Sequence, residues 1–381
     1  MSSPPKIALL LESSHEFGRG LISGFIQYSR VHGPWFFFKK TGGRARRWPS
    51  LAEWQPDGIV MRLKDEIPPA PAIGIRNKRT GSLELGPQWP RIVGNNQAFG
   101  RMAAEHFLER KFRHFAFCSH AERPWLLSRG RAFTESITEA GFQAYVYNDL
   151  YKRHYSNWAM EEKNLIKWLK TLPIPIGIMA SSDDRAQELI EAAHEIGYRI
   201  PEDVAVLGID NDRFICESCV PELSSIALDF ERAGYEAACL LDRLMSGKET
   251  MNGQKIVIQP SHIVTRRSTD VWVIDDPVVT DALRYIRENI RKPLQATDVA
   301  KGISVSRSCL YSRFLKVLGR SVYDEIRKAR VQAISGFLVD TNLSIEEISA
   351  AFGYDSSAHF SRYFKTTAGL TPSAYRQKHS S

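Results

Sequence analysis

The chain has 381 residues, 43% hydrophobic and 25% charged, with a formal net charge of +8. That length makes two or three domains the starting expectation, and the composition is that of a globular protein, not of a disordered or collagenous chain. From Asp276 onward 16 Lys and Arg face 10 Asp and Glu, so +6 of the charge is concentrated there, which suits either a polyanionic partner or a solvated surface. No apolar run approaches the roughly 20 residues of a membrane span. The stretch "IALLL" is too short for a signal-peptide core and meets Glu12 at once, so the expected location is the cytoplasm, with no membrane partner.

In chain order, short apolar runs recur at wide intervals: "KIALLL", "GIVMR", "HFAFCS", "IGIMAS" and "DVAVLGID". Between them lie helical patterns such as "FGRGLISGFIQYSR", "AFGRMAAEHFLERK" and "DRAQELIEAAHEIG". Continuous apolar strands alternating with amphipathic helices predict parallel sheets with helices on both faces. Ligands of such folds sit beyond the carboxyl ends of the strands. The candidates there are Ser13, Ser14 and Phe17, then Ser181, Ser182 and Asp183, then Asp210 and Asn211. The helix stripe in "GRGLISGFIQYSR" fits either a dimer interface or packing on the sheet, and packing is the simpler reading.

"VGNNQAFGRMAAEHFLERKFRHFAFCS", "RGRAF", "ASSDDRAQELIEAAHEIGYRIPEDVAVLGIDND" and "PELSSIALDFERAGYEAACLLDRL" resemble, in this order, the sensor of the lac-repressor and periplasmic-binding-protein-like family. The resemblance spans about residues 6 to 268. It implies two α/β lobes joined by crossing strands, with a small molecule in the cleft between them. Arg129 stands at the arginine of the family's R-x-x-G-F motif, where Ala132 replaces the glycine; Asp210 stands at the first aspartate of G-x-D-D, where Asn211 replaces the second. Ser182 and Asp183 fall where the family has Asn-Asp. A carboxylate accepts and a guanidinium donates, so Asp210 and Arg129 together can fix a pair of sugar hydroxyls. Phe17 or Trp125 could cover the C–H face of the ring. The expected ligand contacts are therefore Asp210, Arg129, Ser13, Phe17, Trp125, Ser182 and Asp183. An Asp after a strand is also a common helix cap.

The five cysteines are scattered. "CESC" has C-x-x-C spacing with no second pair or His pair to complete a zinc site, so reduced thiols are expected and no metal. No Gly-rich phosphate loop, G-x-S-x-G or H-E-x-x-H occurs, so no catalytic residue is nominated.

In "SIEEISAAFGYDSSAHFSRYFKTTAGLTP", Ser344 and Glu347 form a capping box that opens a helix with Ile345, Ile348 and Phe352 on its inner stripe. Gly353 can end that helix in the left-handed conformation. Ser356 caps the next one, Phe360 and Phe364 face inward four residues apart, and small polar residues with Arg362 face out. "LQATDVAKGISVSRSCLYSRFLKVLG" repeats the design with Val299 and Ala300, Gly302 in the turn region, the cap Ser306, and Leu310 and Phe314 inward. Two such units, about 295–318 and 344–366, separated by the helix "SVYDEIRKARVQAISGFLV", predict two recognition helices entering successive major grooves.

These signatures closely resemble the AraC/XylS-type DNA-binding domain. The resemblance implies that Arg307, Ser308, Tyr311 and Ser312 on the first recognition helix, and Ser357, Ala358, His359, Ser361 and Arg362 on the second, face DNA. Arg307 and Arg362 are suited to guanine, His359 is better read as a packing or phosphate residue, and Arg313 or Lys365 as phosphate contacts.

The predicted architecture is an α/β two-lobed sensor at 1–268, a linker at 269–276 and an all-α domain at 277–381 with two helix-turn-helix motifs. A periplasmic-binding-protein-like sensor ahead of an AraC-type domain implies a sugar-responsive regulator, an activator with D-xylose or another aldopentose as effector and no other cofactor. Its partners would be double-stranded DNA, a second copy of the chain in a homodimer, and RNA polymerase. A regulator responding to another small molecule, a pure sugar-binding module and a sugar-converting enzyme remain as alternatives.

Overall fold

The structure is a computed structural model and describes residues 3–39, 51–62, 71–75, 88–119, 126–148 and 158–379. The chain divides into two compact units, Met1–Val271 and Trp272–Ser381.

The first unit opens with β1 (Lys6–Leu10), α1 (Glu16–His32), β2 (Phe36–Lys39), α2 (Leu51–Trp54), β3 (Gly58–Arg62), β4 (Pro71–Ile75) and β5 (Arg91–Gly94). It continues with α3 (Asn96–Glu109), β6 (His114–Ser119), α4 (Leu127–Glu139), β7 (Ala144–Asn148), α5 (Trp158–Leu169), β8 (Ile176–Ala180), α6 (Asp183–Glu195), β9 (Val204–Asp210) and α7 (Arg213–Ser218). β10 (Ser224–Leu228), α8 (Phe230–Met245), β11 (Lys255–Ile258), β12 (Pro260–Val264) and a 3-10 turn (Arg267–Thr269) complete it.

Two six-stranded sheets result, ordered β11-β5-β4-β3-β1-β2 and β12-β10-β9-β8-β6-β7. Their strands read as unbroken apolar runs because they are covered on both faces: Ile7, Ala8 and Leu9, and Ile176, Ile178 and Met179, have no exposed surface. The expected parallel pairing holds for most neighbours, but β4 runs antiparallel to β3 and β5, and β12 antiparallel to β10. The eight residues between β3 and β4 are too few for a helical crossover, so β4 returns antiparallel.

The two lobes exchange chain at three places. β5 leads into α3 of the second lobe, β10 leads back to α8 of the first, and β11 passes to β12 through Gln259. These crossings bond to one another: Asn95 N donates to Ile258 O at 2.9 Å, Asp229 N to Gln259 O at 3.0 Å, and Asn95 Nδ2 to Gln259 Oε1 at 2.8 Å. The α1 stripe is spent on α8 and the sheet, with Leu21, Phe25 and Tyr28 in the same core as Ala237 and Leu241. Gly24 and Gly234 make that approach possible, since a Cβ on either would meet backbone oxygen of the other helix at 2.1 and 2.2 Å.

The second unit is all helical: α9 (Pro277–Glu288), α10 (Ala296–Gly302), α11 (Arg307–Leu318), α12 (Val322–Asp340), α13 (Ile345–Ala351), α14 (Ser357–Ala368) and α15 (Pro372–His379). The division falls inside the segment 269–276 expected to be a linker, and that segment is short and packed at both ends. Thr269 is buried in the first unit, Trp272 and Ile274 lie on the core of the second, and Asp276 caps α9 through Val278 N and Val279 N. The capping box at Ser344 and Glu347 is present, and Ser306 and Ser356 cap α11 and α14 as expected. The two turns differ, however. Gly353 takes the left-handed conformation (φ +69°), whereas in the first motif Ser304 does so (φ +58°) and Gly302 instead lies flat against Tyr285, whose ring a Cβ would meet at 2.1 Å.

Candidate functional site

The carboxyl ends of β1, β8 and β9 meet at the cleft. Asp210 closes β9, and both it (φ +108°) and Asn211 (φ +52°) have positive φ, a conformation that costs a non-glycine residue about 1–3 kcal/mol and persists only where surroundings impose it. Asp183 imposes it from beneath: its carboxylate accepts from Asp212 N at 2.7 Å and Ser225 Oγ at 2.5 Å, while Ser225 Oγ also accepts from Asn211 N at 3.0 Å. Asp183 is 2% exposed, and burial, then the neighbouring Asp210, pushes its carboxyl well above the usual range.

Arg129 on α4 is oriented by three contacts. Nη1 donates to Ser181 O at 2.6 Å, the guanidinium lies over the Phe99 ring at 5.4 Å, and Nη2 stands 3.7 Å from Asp210 Oδ1. The predicted pair of carboxylate and guanidinium is thus brought together. Burial lifts the Asp210 carboxyl to about 6, with Arg129 opposing. Ser181 Oγ lies buried beside them with no hydrogen-bond partner among the described residues.

The other nominated residues divide. Ser13 is exposed on the loop after β1. Phe17 is half-buried and meets Phe230 edge-on at 5.4 Å, so part of its ring belongs to the first lobe's core. Ser182 and Asp183 are turned inward: Ser182 is 6% exposed and caps α6 through Arg185 N, and Asp183 holds the loop below Asp210. A hydroxyl that accepts one bond keeps its own proton and a lone pair, and a carboxylate with two bonds keeps further lone pairs, so both remain candidates for ligand contact beside Asp210. Trp125 lies outside the described residues.

Two residues that sequence reasoning passed over complete the cleft. Asp212, 3% exposed, accepts through Oδ2 from Glu16 N at 2.8 Å and Arg19 Nη2 at 2.9 Å, both on α1 of the opposite lobe. Arg266 donates to Asn211 Oδ1 at 3.0 Å and Leu223 O at 2.9 Å. The residues after Arg266 are pinned in turn: Ser268 Oγ donates to Val206 O, Thr269 Oγ1 bonds Ser224 Oγ and His106 Nε2, and Arg110 Nε donates to Thr269 O. The loop bearing Asp210 and the segment by which the chain leaves this unit therefore form one bonded body. The "RRST" tetrapeptide carried that signal only as a change of composition.

Cys216 and Cys219 are free and buried, and burial raises both thiols, Cys219 to about 11. Such thiols stay protonated and poorly nucleophilic.

In the second unit, Leu310 and Phe314 on α11 and Phe360 and Phe364 on α14 are buried as predicted. Arg307, Ser308, Tyr311 and Ser312 are exposed on α11; on α14, Ala358, His359 and Arg362 are exposed and Ser357 and Ser361 half-buried. Ser308 Oγ bonds the cap Ser306 Oγ at 3.2 Å, and His359 packs edge-on to Tyr354 at 5.7 Å. Arg313, read as a phosphate contact, is paired with Asp276 at 2.9 Å.

Residues 104–269 match the periplasmic binding protein-like domain and residues 299–378 the helix-turn-helix domain. The xylose operon regulatory protein of Escherichia coli (strain K12) is 31% identical over 98% of this chain and 97% of its own. The chain belongs to the xylose operon regulatory protein family. The Haemophilus influenzae member is 29% identical over 97% of this chain and 98% of its own. The structure of the xylose-binding transcription activator xylR covers 100% of both chains at a TM-score of 0.57 and 28% identity. A CelR–cellobiose complex, 20% identical with a TM-score of 0.51 over 69% of this chain and 84% of its own, shares the fold of the first unit. As a member of the xylose operon regulator family the chain is a sugar-responsive, DNA-binding transcription regulator with an AraC-type domain, and the enzyme alternative falls. Among the described residues no helix is long and apolar enough to cross a membrane.

Proposed function

We propose that this regulator binds D-xylose in the cleft between its lobes and, so loaded, activates genes of pentose utilisation. The observation that carries the reading is the pairing of Arg129 with Asp210 at the carboxyl end of β9, in a chain similar end to end to a xylose-binding activator. The carboxylate accepts from one hydroxyl and the guanidinium donates to the next. Ser13, Phe17 and Ser181 lie at the same end of the sheets and supply further polar and ring contacts. The sugar favours the closed cleft and shifts the population by its difference in affinity for closed and open forms. In a cytoplasmic homodimer, that closure sets the paired DNA-binding units for adjacent half-sites and for RNA polymerase. α11 and α14 present Arg307, Ser308, Tyr311 and Ser312, and Ser357, Ala358, His359, Ser361 and Arg362, to successive major grooves.

Thermal shift of the purified protein against xylose, arabinose, ribose, glucose and galactose tests the effector. A ligand that binds only the folded form stabilises it by about 2.7 kcal/mol at a hundred times its Kd. A shift with xylose that Asp210→Ala abolishes supports the reading; a shift with a hexose alone, or with none of the five, overturns the choice of effector.

A further inference from the structure

α12 is shared by two cores. Val322 and Ile326 on its first half pack with α9, α10 and α11, and Ile334 and Leu338 on its second half pack with α13 and α14. Arg330 stands where these halves meet and is only 5% exposed. Its Nη1 donates to Ile290 O at 3.1 Å and Lys292 O at 2.5 Å, both in the connection that leads into the first helix-turn-helix. Its Nη2 donates to Phe352 O, in the turn of the second, and Nε donates to the Tyr354 hydroxyl at 3.2 Å. The same guanidinium lies over the Tyr354 ring at 4.9 Å. Beside it the connection into the first motif packs close to the turn of the second, since a Cβ on Gly353 would stand 3.0 Å from Pro293 Cδ.

The polar partners of this buried cation are backbone carbonyls and a phenol. Burying a guanidinium against neutral acceptors carries a desolvation cost that a hydrophobic residue at this site would not incur. The planar fork meets acceptors from the connection into the first motif and from the turn of the second at once, which a lysine ammonium of the same charge cannot reproduce. Two three-helix units joined by one helix could otherwise swing about it, because their apolar cores are separate.

We infer that Arg330 is a positioning residue that fixes the relative orientation of the two recognition helices, and with it the spacing between the two DNA sub-sites the protein accepts. This rests on the reading that α11 and α14 both enter the major groove. The experiment uses the full chain with xylose and duplexes selected from a random pool by the wild-type protein. Affinity is then measured for the selected site, for a single sub-site, and for the selected site with one base pair inserted between sub-sites.

The wild type should lose about thirtyfold or more on insertion, as for a misplaced set of base contacts. Arg330→Lys should lose about tenfold on the selected site, change less than about threefold on the single sub-site, and show a much smaller insertion penalty. A merely structural role lowers all three affinities together. Tyr354→Phe keeps the ring and removes one bond of the clamp; it should relax the insertion penalty about threefold and decides the matter should Arg330→Lys fail to fold. An unchanged penalty in the folded variants overturns the role of Arg330. A wild type indifferent to the insertion or bound to no selected duplex overturns the two-helix reading beneath it.

Discussion

Arg19 Nη2 donates to Asp212 Oδ2 at 2.9 Å, and the two residues belong to opposite lobes. Asp212 is buried and also accepts from Glu16 N, so the amino end of α1 is fastened to the loop after β9. The Arg19 side chain is 39% exposed, which limits the pair to less than about 1 kcal/mol after solvent screening. Arg19→Ala should therefore weaken effector binding by about threefold to fivefold through easier opening of the cleft, with little loss of stability. Calorimetric titration with xylose beside a denaturant melt separates the two; a variant with unchanged affinity would show that the fastening does not hold the closed form.

Asp210 predicts a pH dependence. Burial raises its carboxyl to about 6, against the opposing pull of Arg129 and His15 and with the support of Asp184 and Asp212. The unfolded value is lower, near 3.9, so the stability linked to this group is fully present below about pH 4 and is lost as pH rises through about 6. Binding runs the other way, because a sugar hydroxyl donates to the ionised carboxylate. Affinity should fall up to about tenfold per pH unit below 6 and level off above it. Asp210→Asn should bind weakly and without that dependence; a wild-type Kd flat between pH 5 and 7 would remove Asp210 from the contact.

The sequence made the strands, the helix caps and the two inward apolar pairs legible because each rests on local spacing: an apolar run, an S-x-x-E box, a Leu–Phe or Phe–Phe pair four apart. Arg129 and Asp210 were legible as family positions, and the structure brings them within 3.7 Å. Ser182 and Asp183 were legible as positions after a strand, but their partners Arg185, Ser225 and Asp212 were not, because a side chain there can point into the cleft or beneath it and the folded neighbours decide which. Asp212, Arg266 and Arg330 escaped notice for the same reason, since their partners lie 193, 55 and 40 residues away.

The recognition helices predict a division between specificity and affinity. Arg307 is exposed at the amino end of α11 and Arg362 on the middle of α14. Replacing either by Ala should cost about 1–3 kcal/mol on the preferred sequence and relax discrimination at one or two base pairs. Lys365→Ala should weaken all sequences alike and lower the salt slope by about one. Fluorescence anisotropy across base-substituted duplexes at several salt concentrations reads both quantities. A uniform loss in the arginine variants would reassign them to the phosphate backbone.

Arg266 predicts how the two functions are joined. It bonds Asn211, next to Asp210, and stands two residues before the pair Ser268 and Thr269, which are pinned to Val206, Ser224, His106 and Arg110. Any shift of the 210–212 loop on binding is thereby passed to the segment that leaves the sensor. Arg266→Ala removes the bonds to Asn211 and Leu223 while leaving the Ser268 and Thr269 anchors in place. It should retain effector affinity within about fivefold, yet lose most of the effector's effect on DNA affinity, a coupling of about 1–3 kcal/mol in regulators generally. Binding to a selected duplex with and without xylose measures that coupling in both proteins. If the variant responds to xylose as fully as the wild type, the signal leaves the cleft by another route, and the crossings at Asn95, Asp229 and Gln259 become the segments to alter.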